Sequence, residues 1–196
     1  MRIKILLTSI IGLAVVFMAI ISCKDSPVKE QSVSASTDSM TLVKRGEYLV
    51  SFIGCDDCHS PKRMGPQGPE LIPELRLSGF PQQGNVPPVN KDEVKKGWVL
   101  FAPDLTSAVG PWGQSFAANL TSDVSGIGNW TEENFIRALR EGKFKGLEQG
   151  RNLLPPMPWM AYKNMTDEDI RAIFAYLKTT PPVHNIVPAP RSLQDL

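Results

Sequence analysis

Three cysteines and two histidines are all that this 196-residue chain offers to a soft metal, and that scarcity excludes several chemistries at once. A closed structural zinc site needs four Cys or His ligands in paired spacings. Outside one cluster the chain has only Cys23, near its start, and a solitary His184. A disulfide framework is equally short of material. No strand–helix–strand alternation surrounds the cluster, as a thioredoxin-like dithiol would require. Charge of one sign is lacking too, with 21 basic against 20 acidic residues. Basic residues run no longer than pairs such as Lys44-Arg45, Lys62-Arg63 and Lys95-Lys96, so no stripe exists to track phosphates and no nucleic-acid partner is expected.

The cluster itself is Cys55-Asp56-Asp57-Cys58-His59. C-x-x-C-H spaces two thiols on one helical turn so that both reach the vinyl groups of a single protoporphyrin, and places an imidazole next in line as the proximal iron ligand. Cys55 and Cys58 are therefore the expected covalent attachments of one haem c, and His59 its first axial ligand.

The first 22 residues begin with Arg2 and Lys4, run largely apolar from Ile5 to Ile21, and contain no acidic residue before Asp25. They read as an export signal. Their apolar stretch is near the lower length for a membrane span, which makes a single-pass anchor the alternative. The ending Ile20-Ile21-Ser22-Cys23 resembles a bacterial lipobox, which implies lipidation of Cys23. Either way the domain is expected outside the cytoplasm and tethered to a membrane. From residue 23 to 40 the chain is polar, with almost nothing large and apolar to bury, and reads as a flexible tether.

Residues 41–182 carry the folded domain. Between Leu42 and Gly54, Val43, Leu49, Phe52 and Ile53 fall at helical spacing. From Ser60 to Gly128 proline and glycine recur, which excludes long regular elements, and a segment of that length needs something to order it. Trp98, Phe101, Trp112 and Phe116 are candidates for contacts to a haem rim or for plain packing. Thr131 predicts an N-cap for a helix ending at Gly142, with Phe135, Ile136 and Leu139 inward. Thr166 caps another, with Ile170, Ile173, Phe174 and Leu177 on its apolar face and Pro181-Pro182 as its stop. Residues 183–196 read as an extended tail.

The second axial ligand decides whether a haem carries electrons or binds small molecules. Leu153 to Met160 places two methionines in a proline-stiffened loop, and Met157, with proline on both sides, is the expected ligand. Met160 and Met165 read as core filler. His184 is the remaining alternative.

The chain resembles the class I c-type cytochromes, in particular the modules that accompany bacterial periplasmic dehydrogenases. The likeness rests on Gly46-Glu47-Tyr48-Leu49 before the C-x-x-C-H motif, on Asn119-Leu120-Thr121-Ser122-Asp123 with Gly126-Ile127-Gly128-Asn129-Trp130, and on Met157-Pro158-Trp159 followed by Met165 to Asp169, Ala175-Tyr176-Leu177 and Pro181-Pro182. The resemblance implies an all-α cytochrome c fold holding a single haem, with first and last helices crossing near Gly46 and Tyr176. Here it would carry a long Gly/Pro-rich insertion between the haem motif and the later helices. Trp130 becomes a candidate donor to a haem propionate, with core packing the alternative. The implied function is one-electron transfer, not catalysis. Partners would be a dehydrogenase or quinol-oxidising complex on one side and an oxidase or reductase on the other. A haem enzyme with an open iron, or a haem-bearing sensor or structural subunit, are the rival functions.

Overall fold

The computed structural model describes residues 30–196, with side chains from Asp38 onward. The leader, Cys23 and the tether up to residue 29 lie outside the described residues. Helix α1 spans Glu30–Phe52. Residues 30–40, expected as tether, are thus helical. Pro27 is the last helix breaker before Gly46, and the intervening Gln, Ser, Val, Ala and Thr residues do nothing to stop a helix running back from the domain. Ser39–Leu196 forms one compact unit.

Within that unit α1 turns Leu49 and Val50 inward, whereas Phe52 is 73% exposed and stacks on Tyr48 at 5.5 Å. Gly46 is where the chain's last helix, α6 (Asp167–Leu177), crosses. A Cβ on Gly46 would lie 1.9 Å from the carbonyl oxygen of Ala172 and 2.8 Å from the Cβ of Tyr176. Backbones this close need glycine.

Helix α4 (Glu132–Glu141) begins as expected at Thr131, whose hydroxyl accepts from the Asn134 N–H while the Asn134 side chain answers the Thr131 N–H. It ends at Gly142 with φ 64°, a left-handed cap. In the same way Thr166 accepts from the Asp169 N–H to start α6. Arg171–Glu132 and an Arg140–Asp167 pair tie the two helices together at the surface. Leu49, Val50, Ile127, Phe135, Leu139, Ile170, Ile173 and Leu177 form the core between α1, α4 and α6.

The domain is not all-α. Two small antiparallel sheets occupy the Gly/Pro-rich insertion, together with the short helix α3 (Lys91–Lys95). One sheet pairs β1 (Lys62–Gly65) with β2 (Gly68–Leu71). The other orders β3 (Leu100–Phe101), β4 (Ser107–Gly110) and β5 (Gly113–Phe116) side by side. Both hairpins turn on the same pattern, Gly65-Pro66-Gln67-Gly68 and Gly110-Pro111-Trp112-Gly113, with the outer glycines paired across the ladder. Proline presets the second turn position and the closing glycine takes positive φ, so short strands form where long elements cannot. The insertion is therefore ordered by its own ladders. Trp98 is 63% and Phe101 47% exposed, while Phe116 packs on Phe80 at 4.7 Å.

Residues 183–196 are extended yet built in. Gln114 and Arg191 exchange both backbone hydrogen bonds, and Asn185 is buried.

Candidate haem site

The attachment motif forms the single-turn helix α2 (Cys55–His59), entered through Gly54 in the left-handed conformation, φ 77°. His59 is buried, and its Nδ1 lies 2.7 Å from the carbonyl oxygen of Ala118. A carbonyl only accepts, so Nδ1 carries the proton and Nε2 keeps its lone pair. Nε2 has no hydrogen-bond partner among the described residues. Burial pushes the imidazole below its usual pKa, partly offset by the Ala118 bond, and holds it neutral. A neutral, oriented ring with one free lone pair is what an iron ligand requires.

The segment that supplies Ala118 is clamped to the motif from both directions. Gly79 N–H donates to the His59 carbonyl at 2.8 Å, Phe80 N–H to Ala117 at 2.9 Å, and Leu120 N–H to Leu77 at 2.8 Å. Gly79 sits at φ 76°, and a Cβ there would meet the Ala117 carbonyl oxygen at 2.5 Å.

Cys55 and Cys58 are both free and half-buried. Burial pushes the Cys55 thiol up to about 12, with Asp56 adding to the rise, and burial also raises Cys58. Zinc-binding and dithiol-redox cysteines work as thiolates and sit where their pKa is lowered. These two sit where it is raised. A thioether has no charge to desolvate, so the same setting suits covalent porphyrin attachment. No group of three or more His, Cys, Asp or Glu side chains that could hold a bare metal ion occurs among the described residues. The residues fit haem c and fit its rivals poorly.

One of the residues between the cysteines has a structural task that the sequence reading missed. Asp56 receives Arg76 Nη2 at 2.7 Å and Nε at 3.0 Å, and the Ser60 hydroxyl at 2.7 Å. Arg76 Nη1 donates to the Tyr176 hydroxyl on α6 at 2.6 Å, and the Ser60 hydroxyl accepts from Leu77 N–H at 2.8 Å. Arg76 gave no signal in the sequence, being one of many isolated charges in a Pro-rich segment.

Met157 is half-buried against the same apolar core that takes Cys55, Trp130, Tyr162 and Met165, whereas Met160 is 56% exposed. Its loop is pinned on the side that leads into Met157. Leu153 N–H donates to the Gly142 carbonyl at 2.6 Å, and the Ser115 hydroxyl of β5 to the Pro155 carbonyl at 2.6 Å. Further along, Tyr162 ends the short helix α5 (Trp159–Tyr162). Burial and then the neighbouring Cys55 and Cys58 push its phenol up to about 12, and Tyr162, Met157 and Cys55 pack against one apolar cluster. His184 lies on the surface, with Nδ1 3.2 Å from Asp123. Trp130 packs partly into the core, and its indole N–H has no hydrogen-bond partner among the described residues.

A buried imidazole following two half-buried thiols defines a covalent haem c site within a helical scaffold. Residues 43–181 match the cytochrome c family model. The chain is 29% identical over 155 residues to the gluconate 2-dehydrogenase cytochrome c subunit of Pantoea cypripedii, covering 79% of this chain and 25% of that one. It is 31% identical over 136 residues to the cytochrome c subunit of the quinone alcohol dehydrogenase of Gluconobacter oxydans (strain 621H), covering 69% and 20%. Against the fructose dehydrogenase cytochrome subunit of Gluconobacter japonicus it is 29% identical over 166 residues, covering 84% and 26%. The chain spans about a quarter of the length of these relatives.

The chain belongs to the cytochrome c family and carries covalently bound haem c. Cys55, Cys58 and His59 would hold that haem, and its iron would supply one-electron redox chemistry.

Proposed function

We propose that this protein is a monohaem electron carrier with His59 and Met157 as axial ligands, held outside the cytoplasm by a lipid on Cys23, and serving as the redox partner of a dehydrogenase. The buried, singly protonated His59 ring carries the reading, because the Ala118 bond occupies Nδ1 and leaves Nε2 to bind iron. Met157 is favoured over Met160 by its burial and by a loop fixed at Gly142 and Ser115. A pinned loop loses little further entropy when its thioether engages iron. An indole N–H without a hydrogen-bond partner among the described residues supports Trp130 as a propionate donor. The dehydrogenase partner is suggested by the names of the relatives, and the acceptor would be an oxidase or reductase reached through brief contacts at the haem edge.

The deciding experiment compares holoprotein from a host competent in haem c maturation with its Met157→Ala and Met160→Ala variants. Visible spectra should show a low-spin ferrous haem in the parent, and the near-infrared methionine-to-iron band should vanish only in Met157→Ala. Its loss in Met160→Ala alone would transfer the ligand to that residue. Globomycin treatment of the producing cells should leave the leader attached if Cys23 is lipidated.

A further inference from the structure

Lys62 directly follows the motif's exit at Ser60-Pro61 and begins β1. Its ammonium is surrounded by carbonyl oxygens: Asp57 at 2.7 Å, Ser60 at 3.0 Å, Asp104 at 3.0 Å and Asp56 at 3.2 Å. Three of the four belong to the last turn of α2 and the residue after it, where a helix gathers unsatisfied carbonyls and partial negative charge. The fourth, Asp104, lies between β3 and β4 and ties that part of the insertion to the motif.

The charge on Lys62 is held by dipoles, and no carboxylate pairs with it. The nearest candidate, Asp56, is committed to Arg76, and the Asp57 side chain is on the exposed side of α2. A half-buried ammonium satisfied by carbonyls sits where water screens it less than at the surface. Two of those carbonyls, on Asp57 and Ser60, belong to the turn that carries His59, so the ammonium lies against the same turn as the axial ring.

We propose that Lys62 is a positioning residue for electron transfer, whose ammonium fastens the haem-attachment turn and sets an uncompensated positive charge beside the axial histidine, favouring the reduced state. The inference rests on the haem c reading. When one electron passes from a chemical reductant to ferric iron, giving ferrous iron with no proton taken up, the haem loses one positive charge. A fixed cation nearby stabilises the product over the reactant.

Potentiometric titration of the holoprotein with dithionite and redox mediators tests this in Lys62→Met, Lys62→Arg and the exposed control Lys95→Met. At a fixed poise the ferrous-to-ferric ratio should fall by roughly tenfold in Lys62→Met, about 59 mV for a one-electron couple. Lys62→Arg keeps the charge and should stay within about twofold of the parent, as should Lys95→Met. A Lys62→Met protein with the parent's spectrum and the parent's ratio would overturn the proposal. So would a Lys62→Arg protein whose ratio falls as far as that expected for methionine, which also decides the matter should Lys62→Met fail to mature. Failure of the underlying haem c reading would look different, since parent pigment would then extract into acidic organic solvent.

Discussion

Arg76 reaches Asp56 with three N–O contacts, the shortest 2.7 Å, and with its remaining nitrogen donates to the Tyr176 hydroxyl, so one side chain couples the haem-attachment turn to the last helix. Each partner is only partly exposed, 34% for Arg76 and 18% for Asp56. Truncation strands a carboxylate in a poorly hydrated position. Arg76→Met should destabilise the holoprotein by about 2 kcal/mol, and a double-mutant cycle with Asp56→Ala should give a coupling of about 1 kcal/mol or more. Guanidinium unfolding of the four proteins measures both. Additive single effects would mean that the pair is a surface contact with no share in holding the motif.

The axial side of the site depends on the C-terminal segment. Asn185 Nδ2 donates to the Ser78 and Phe80 carbonyls at 2.7 and 2.9 Å, and its Oδ1 accepts from Gln82 N–H at 2.8 Å. Asn119, next to the carbonyl that holds His59, donates to the Val183 carbonyl at 2.8 Å. Asn185→Ala leaves three backbone groups without partners, two of them carbonyls buried with it, and should cost roughly 3 kcal/mol. Asn185→Asp should cost more, because it sets an anionic oxygen against two carbonyl oxygens. Unfolding midpoints rank the two, and faster amide exchange at Gly79 and Phe80 should accompany both. If aspartate proved the milder change, the two carbonyl bonds would not be what Asn185 contributes to stability.

The contrast between these two networks and the helices shows which parts of the chain announce themselves. Thr131, Gly142 and Thr166 are local signals: each acts on a backbone within a few residues, so sequence spacing carries the whole effect. C-x-x-C-H is local for the same reason. Asp56–Arg76 and Asn185–Ser78 are contacts between positions far apart in the chain, formed by residue types that are common on any surface, and nothing near either partner marks it. The two sheets are an intermediate case. Gly65-Pro66-Gln67-Gly68 and Gly110-Pro111-Trp112-Gly113 are visible repeats of one turn pattern, and reading proline and glycine only as breakers of long elements hides the hairpins they make.

Gly46 has no room for a side chain. Alanine there would drive a Cβ to 1.9 Å from the Ala172 carbonyl oxygen, and the contact is backbone, so no rotamer change relieves it. Gly46→Ala should cost about 3 kcal/mol or more, or prevent recovery of holoprotein, because α1 and α6 must separate. Gly68→Ala makes a matched control: nothing lies within 4 Å of its added Cβ, and only the strain of φ 123° is left, about 1 kcal/mol. Equal losses at the two positions would show that backbone conformation, rather than the helix crossing, is what glycine provides at Gly46.

Val50 and Phe52 test the rotation of α1 about its own axis. Helical periodicity read from Val43, Leu49, Phe52 and Ile53 puts Phe52 on the buried face, yet Val50 is fully buried and Phe52 is 73% exposed. The buried stripe runs through Gly46, Leu49, Val50 and Ile53, and the aromatic ring at 52 is left to stack on Tyr48 outside it. Size misleads the sequence reading: phenylalanine is the larger apolar residue, but the close crossing at Gly46 fixes which face points inward, and valine fits the narrow gap there. Val50→Ala should therefore cost about 2 kcal/mol from lost burial and the cavity left behind. Phe52→Ala should stay within about 0.5 kcal/mol, since the ring it removes already lies mostly in water. Urea unfolding of the two holoproteins, with unchanged m-values, compares them directly, and a larger loss at Phe52 than at Val50 would mean that the helix is turned the other way.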